Sequence, residues 1–108
     1  RKDDMIVSAG ENIYPTQIEA VLNDHPKVAE SAVIGIPDKL RGEIVAAYVV
    51  PLDDSLTVEE LKEYCTSSPM LSAYKWPKIY NIVPELPHTA TGKLMHYKLR
   101  QQAVGKNK

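Results

Sequence analysis

Ile44-Val45-Ala46-Ala47-Tyr48-Val49-Val50 is an unbroken apolar stretch, and Pro51 closes it. A strand with one face in water alternates apolar and polar residues, whereas an unbroken apolar run is typical of a strand covered on both faces. The stretch therefore predicts the central strand of a sheet, with the other strands and the helices packed around it.

Extended segments before and after this stretch predict the rest of the sheet. Val28–Ile36 has an extended pattern, and the charged loop Pro37–Gly42 connects it to the central strand. Ile79–Val83 predicts a third strand. Near the start, the short apolar run Met5–Val7 is broken by Ser8-Ala9-Gly10, which indicates a strand that enters a turn or hairpin.

Three segments predict helices. Tyr14-Pro15 marks the first start, because proline fits the first helical position, and His25-Pro26 ends that helix. Glu19 is expected on its surface, away from the apolar positions. Thr57-Val58-Glu59-Glu60 has the capping-box pattern that opens a second helix, and Met95–Ala103 predicts a third. Together the segments predict a small α+β domain with a central, mainly three-stranded β-sheet flanked by helices.

Length and composition indicate one domain over residues 1–108. A chain of 108 residues can bury one core. Its formal net charge is -1, whereas domains that bind nucleic acid usually carry a strong basic excess. The composition therefore does not indicate a nucleic-acid-binding surface. No apolar run approaches the length of a transmembrane helix.

Cys65 is the single cysteine, so it cannot form a disulfide within the chain. This favours a reducing, cytoplasmic setting, and we expect Cys65 to be a small buried apolar side chain. The sequence opens on Arg1 without an initiating methionine, so we expect it to be a piece of a longer protein. Residues 104–108 are expected to be a frayed tail.

The stretch Pro87-His88-Thr89-Ala90-Thr91-Gly92-Lys93 is a polar turn that ends in a lysine. An ammonium group on a tight turn suits a phosphate or a developing negative charge. A P-loop is excluded, because it needs a glycine where this chain has Pro87, and a serine or threonine where it has Leu94. The alternative for Gly92-Lys93 is an ordinary surface turn whose lysine is solvated.

Two other groups of side chains could contact a nucleotide. Tyr74, Trp76 and Lys78 alternate, so an extended backbone would put two rings and an ammonium on one face. The alternative is that the rings cover the edge of the core and that Lys78 is solvated. Arg41, beside Gly42, is a possible phosphate contact or a solvated loop arginine.

The histidines and the first carboxylates give no metal motif. His25, His88 and His96 lack the spacing of metal ligands. We interpret His25 as a helix-end residue and His96 as a helix-surface residue, and His88 is of interest because it lies near the lysine turn. Asp3-Asp4 could be paired carboxylates, but adjacent charges at a chain end are usually solvated.

Four blocks, in order along nearly the whole chain, carry a resemblance to a known family. The blocks are Arg1 to Ile6, Gly10 to Pro15 with Ile18-Glu19, Val33 to Asp38 with Gly42-Glu43, and Pro87 to Lys93. With these blocks the chain resembles the small C-terminal domain of the adenylate-forming superfamily, which includes acyl-CoA synthetases, peptide-synthetase adenylation domains and luciferases. The first block looks like the hinge motif of that family, and the last looks like its catalytic-lysine motif. The resemblance implies a mobile domain of a larger enzyme.

The resemblance implies a two-step reaction. A carboxylate attacks the α-phosphate of ATP to give an acyl-adenylate and pyrophosphate, and the thiol of CoA then attacks the acyl carbonyl and releases AMP. Lys93 matches the lysine that orients the carboxylate and the α-phosphate in the first step. Asp3, in the hinge segment 1–4, matches the residue about which the domain swings between the steps, and Arg1 matches a nucleotide contact. Mg²⁺ accompanies ATP and is implied to bind mainly to the N-terminal domain of the same polypeptide.

The resemblance also implies contacts to CoA. The loop at Ala9-Gly10 matches the one that lines the pantetheine tunnel, where glycine allows a close approach to the backbone. Many relatives have a glycine pair there, so this chain departs from the pattern at Ala9 and keeps Gly10. Tyr74, Trp76, Lys78 and Arg41 fall where some CoA ligases hold the CoA nucleotide.

The sequence leaves three hypotheses for the function. The residues of Gly10 to Pro15 favour the first, the lid domain of a fatty- or aryl-acid CoA ligase, which would be inactive without its N-terminal domain. A peptide-synthetase type of adenylation subdomain, acting on a carrier-protein thiol, is the second. A stand-alone interaction or regulatory module with the same fold and no chemistry is the third.

Overall fold

Strand β4, Gly42–Pro51, lies in the middle of a three-stranded sheet, as its apolar sequence predicts. The computed structural model describes residues 5–106, and the side chains of residues 5–103. The other strands are β1 (Ile6–Ser8), β2 (Glu11–Ile13), β3 (Val28–Asp38) and β5 (Ile79–Ile82), and the α-helices are α1 (Pro15–Asn23), α2 (Val58–Ser67) and α3 (His96–Lys106). The predicted class, an α+β domain with a mainly three-stranded central sheet and flanking helices, is confirmed.

The sheet order is β3-β4-β5, with mixed pairing. β3 and β4 form an antiparallel hairpin in which Ile34 lies opposite Ala46. β4 and β5 are parallel, with Ala46 opposite Ile79. Parallel neighbours need a crossover connection, and here the segment that contains α2 makes it.

Alternate residues of the sheet face two separate apolar clusters. On one side Val33, Val45, Ala47 and Val49 pack with the buried side chains of α1, α2 and the β1–β2 hairpin. On the other side the sheet packs with Leu99 and Ala103 of α3, through the side chains of Ala32, Ile34, Ile36 and Ala46. β4 contributes to both clusters, and this explains why its sequence is apolar without alternation.

The helix starts follow from local sequence. Pro15 is the first residue of α1, where its missing N–H costs no hydrogen bond. At α2 the Thr57 side chain accepts a bond from the Glu60 N–H at 3.2 Å, and the Thr57 N–H donates to the Glu60 carboxylate at 3.0 Å. This is the predicted capping box, formed in both directions.

Some predicted boundaries were wrong. β3 continues to Asp38 and β4 starts at Gly42, so the predicted charged loop 37–42 is reduced to residues 39–41. α3 continues to Lys106, so three of the five residues expected to form a frayed tail are helical, while 107 and 108 lie outside the described residues. Over residues 5–106, none of the helices combines the length and the apolar character needed to span a membrane.

Cys65 is fully buried on α2, as predicted. Burial raises the pKa of its thiol, so the reactive thiolate is scarcer near neutral pH than in a free cysteine. We expect alkylation of the native chain by iodoacetamide at about pH 8 to be at least about 100-fold slower than alkylation in denaturant. Mass spectrometry after timed quenching measures both rates, and comparable rates would show that Cys65 is accessible.

Candidate functional site

The lysine turn is a short hairpin closed by backbone hydrogen bonds. The Gly92 N–H donates to the Thr89 carbonyl at 2.9 Å, and the Thr89 N–H donates to the Lys93 carbonyl at 2.8 Å. His88 and Leu94 form an antiparallel bridge beneath the turn. Gly92 has φ of 92°, the left-handed conformation that ends a three-residue hairpin loop and that glycine adopts without steric cost.

Side-chain hydroxyls stiffen the same turn. The Lys93 N–H donates to the Thr89 hydroxyl at 3.0 Å, and the hydroxyls of Thr89 and Thr91 are also 3.0 Å apart. The backbone of Lys93 is therefore held through both its N–H and its carbonyl. Its side chain is exposed and forms no hydrogen bond or ion pair with any described residue, so its ammonium can pair with a negative group from outside the chain.

Two histidine–glutamate pairs tie the lysine turn and the helix after it to the rest of the domain. His88 Nε2 lies 2.9 Å from Glu30 Oε1, at the start of β3. His96 Nε2, at the first residue of α3, lies 2.7 Å from Glu19 Oε2 on α1. The same Glu19 oxygen accepts a bond from the Val33 N–H at 2.8 Å, on the free edge of β3.

The predictions that Glu19 and His96 are surface residues were wrong. Their side chains are only 12% and 17% exposed, because the Glu19 carboxylate joins α1, β3 and α3. The residues of the two pairs are separated by 58 and 77 positions in sequence. Helical periodicity reports only local neighbours, so no sequence signal could have identified these contacts.

Gly92 is expected to be required for its dihedral angle alone. A Cβ added there would meet nothing within 4 Å, but the left-handed backbone costs an alanine about 1–2 kcal/mol. We therefore expect Gly92→Ala to lower the free energy of unfolding by about 1 kcal/mol, and Gly92→Asn to lower it less, because asparagine tolerates this conformation. Urea unfolding measures both variants, and equal losses would show that space, not conformation, limits the site.

Three of the predicted CoA residues, Gly10, Arg41 and Lys78, lie at the other end of the sheet. The Ala9 N–H donates to the Arg41 carbonyl at 2.8 Å, which places Gly10 beside the β3–β4 loop. The Lys78 N–H donates to the Val45 carbonyl at 2.8 Å, so Lys78 lies where β5 enters the same end of the sheet.

Two ends of the domain therefore carry the predicted chemistry. The lysine turn is anchored at Glu30 and the CoA residues lie near Asp38, eight positions further along β3. At a rise of about 3.3 Å per residue these ends are about 26 Å apart. A single reacting centre spans only a few ångströms, about 3–3.5 Å between reacting atoms, so the two groups of residues are suited to two separate events.

Tyr74, Trp76 and Lys78 do not share one extended face. Ala73–Lys75 forms a single turn of 3-10 helix, so the alternation expected from an extended backbone is wrong at Tyr74. Trp76 packs against the core cluster of α1 and α2, which is the alternative stated for it. Tyr74 is 46% exposed, with the Lys75 ammonium 5.6 Å from its ring centroid, and Lys78 is exposed.

Three predicted residues remain, namely Arg1, Asp3 and His25. Arg1 and Asp3 lie outside the described residues. His25 is a helix-end residue as predicted, and its Nδ1 accepts a bond from the Lys27 N–H at 3.0 Å. Within the described part of the chain, no three His, Cys, Asp or Glu side chains are grouped so that they could hold a metal ion.

Comparison with known proteins assigns the family. The profile of the AMP-binding enzyme C-terminal domain matches residues 17–93. A 2-succinylbenzoate–CoA ligase of Bacillus licheniformis is 48% identical over 99 residues, which cover 92% of this chain and 20% of that protein. A long-chain-fatty-acid–CoA ligase of Yersinia pestis is 47% identical over 96% of this chain and 18% of its own length.

Solved structures agree with the sequence comparison. A fatty acyl CoA synthetase of Mycobacterium tuberculosis superposes with a TM-score of 0.91 at 42% identity, over 98% of this chain and 21% of that one. The chain thus spans about a fifth of the length of the relatives it matches. By sequence profile and by fold, this chain belongs to the family of AMP-binding enzyme C-terminal domains, in the branch found in adenylate-forming acyl-CoA synthetases.

Proposed function

We propose that this chain is the mobile C-terminal lid of an acyl-CoA synthetase that activates a carboxylic acid with ATP and transfers the acyl group to CoA. One observation carries the proposal: the Lys93 ammonium has no partner among the described residues, yet its backbone is held from both sides by the Thr89 turn. A solvated surface lysine needs no such support. A lysine that must meet a phosphate in a fixed geometry does.

In the first step, an oxygen of the substrate carboxylate attacks the α-phosphorus of ATP, and the bond to pyrophosphate breaks. Both reactants are anions, so their approach and the charge that develops on the α-phosphate oppose the reaction. In the domain orientation proposed for this step, the Lys93 ammonium lies between the carboxylate and the α-phosphate and offsets the negative charge of both. Because Gly92 and Thr89 fix the turn beforehand, little reorganisation is needed at the moment of reaction.

In the second step, the thiol sulfur of CoA attacks the acyl carbonyl, and the bond to AMP breaks. The end of the domain that carries Gly10, Arg41 and Lys78 is proposed to serve this step. Gly10 allows the pantetheine arm to pass close to the backbone, while Arg41 and Lys78 supply positive charge to the CoA phosphates. Tyr74 offers an exposed ring for the nucleotide, whereas Trp76 packs against the core.

The separation of the two ends supports a swing of the domain between the steps. Asp3 is the proposed hinge and Arg1 a proposed nucleotide contact, and both precede the described residues. Hinges of this kind consist of a few residues that absorb a large backbone rotation. A large N-terminal domain of the same polypeptide is proposed to hold the acid, most of ATP and its Mg²⁺. The isolated chain is therefore expected to form no acyl-adenylate.

Asp3→Pro tests the hinge. Proline fixes φ near −65°, so we expect the variant of the full-length protein to form acyl-adenylate at nearly the normal rate. Thioester formation from supplied acyl-adenylate should fall by about tenfold or more, because the domain can no longer rotate freely. Separate assays of the two half-reactions measure the effect, and normal rates in both would show that Asp3 is not the hinge residue.

The substrate class is proposed from the relatives. Their names specify 2-succinylbenzoate and long-chain fatty acids, so we propose an aryl or fatty acid here. The test incubates the full-length protein with ATP, a panel of such acids, and either CoA or a carrier protein that bears phosphopantetheine. The product distinguishes the three hypotheses for the function. Acyl-CoA detected by mass spectrometry supports the proposal. Acylation of the carrier alone would favour a peptide-synthetase type, and no product with any acid would favour a non-catalytic module.

A further inference from the structure

The turn between β1 and β2 has an unusual backbone. Ala9 has φ of 51° and Gly10 has φ of 83°. Two positive φ values suit the tight turn of a two-residue hairpin, but Ala9 is the single non-glycine residue with positive φ in residues 5–106. Strain of this kind persists only where surrounding contacts hold it, so the contacts around the turn matter.

Two hydrogen bonds tie this hairpin to the end of the sheet. The Ala9 N–H donates to the Arg41 carbonyl at 2.8 Å, and the Val7 N–H donates to Glu43 Oε1 at 2.9 Å. The acceptor of the second bond is the side chain of Glu43, near the start of β4. A carboxylate that accepts from a backbone N–H forms a stronger bond than a neutral acceptor, so the Glu43 carboxylate fixes the strand that enters the turn.

Gly35 provides the space that the Glu43 carboxylate occupies. A Cβ added at Gly35 would lie 2.8 Å from Glu43 Oε2, 2.9 Å from its Cδ and 3.0 Å from Ile6 Cγ2. The carboxylate therefore lies directly on the backbone of β3, with one oxygen against Gly35 and the other on Val7. Any side chain at position 35 would displace it.

We infer that Glu43 is a positioning residue for the CoA step: its carboxylate, seated on Gly35, holds the Ala9-Gly10 turn in place through the Val7 N–H. The inference rests on the proposed function, in which this turn lines the path of the pantetheine arm. The two oxygens of the Glu43 carboxylate lie on the Val7 N–H and against Gly35, so its loss should act through the turn. The lysine turn, at the other end of the sheet, should be unaffected.

The test uses the full-length protein and two substitutions that break the same contact from opposite sides. Glu43→Ala removes the acceptor, and Gly35→Ala displaces it. Thioester formation from supplied acyl-adenylate is measured over a range of CoA concentrations, beside acyl-adenylate formation from acid and ATP. We expect kcat/KM for CoA to fall by about tenfold or more in both variants, mainly through KM, with adenylation within about twofold of normal.

Two controls separate positioning from general damage. Glu43→Gln keeps an oxygen acceptor of the same size, so it should retain kcat/KM for CoA within about threefold. Glu59→Ala removes an exposed glutamate of α2 and should change neither half-reaction. Hydrogen exchange of the peptide that contains Val7 gives a readout without chemistry, and it should be faster in Glu43→Ala and unchanged in Glu43→Gln. Should Gly35→Ala fail to fold, Glu43→Ala decides the test.

The outcomes are distinct. An active wild type whose Glu43→Ala variant keeps its kcat/KM for CoA, or loses both half-reactions equally, would overturn the inference and leave the proposed function intact. A wild type that forms acyl-adenylate but no acyl-CoA would overturn both. Loss of the CoA step alone, with faster exchange at Val7 and rescue by Glu43→Gln, supports the inference.

Discussion

Lys93→Ala in the full-length protein is expected to slow acyl-adenylate formation by about 100-fold or more. Removing one preorganised group that stabilises transition-state charge typically costs this much. The loss should appear in kcat, because the ammonium is proposed to act where the two anions meet and to contribute little to the binding of either reactant alone. Acid-dependent pyrophosphate release measures the effect.

The second half-reaction supplies the internal control. Thioester formation from supplied acyl-adenylate is proposed to use the end of the domain about 26 Å away, so Lys93→Ala should leave it within about twofold of normal. Lys98→Ala removes the same charge from an exposed position on α3 and should affect neither step. Equal losses in both half-reactions for Lys93→Ala would show that the role assigned to this lysine is wrong.

Glu19→Ala is expected to lower the free energy of unfolding by about 3 kcal/mol, since it removes the acceptor of two buried donors. The Val33 N–H and the His96 ring would both lose their bond to this carboxylate, which joins α1, β3 and α3. Urea unfolding measures the change. Glu63→Ala, at an exposed position of α2, is the matched control and should change stability by less than about 0.5 kcal/mol.

Glu19→Gln refines this prediction. The amide keeps an oxygen at the position that both donors share but loses the negative charge, so its loss of stability should lie between those of the control and of Glu19→Ala. A loss below about 1 kcal/mol for Glu19→Ala would contradict the account. It would mean that solvent or another group replaces the carboxylate at the edge of β3.

The elements that the sequence predicts well are those whose signal is local. The apolar run of β4 reports burial on both faces of a strand, and Pro15 and the Thr57–Glu60 box act within one helical turn. The sequence indicated a turn or hairpin after Met5–Val7, but it did not locate the second strand, Glu11–Ile13, because three residues, two of them polar, carry no periodicity. The parallel pairing of β4 with β5 depends on the path of the chain through α2, which no local pattern encodes.

The candidate site divides in the same way. The Gly92-Lys93 turn is visible in sequence, because a left-handed glycine before a lysine is a local feature. Its anchors are not visible, since Glu30 and Glu19 are far from His88 and His96 along the chain. The contact between the Glu43 carboxylate and Gly35 likewise depends on the pairing of two neighbouring strands, so it is visible only in the folded chain.

The proposed role of Lys93 is tested by pyrophosphate release from the full-length protein over a panel of aryl and fatty acids, with wild type and Lys93→Ala measured side by side. We expect release that depends on the acid in the wild type and that falls by about 100-fold or more in the variant. Acid-dependent release that survives the substitution would contradict the role of Lys93 as the residue that brings carboxylate and α-phosphate together.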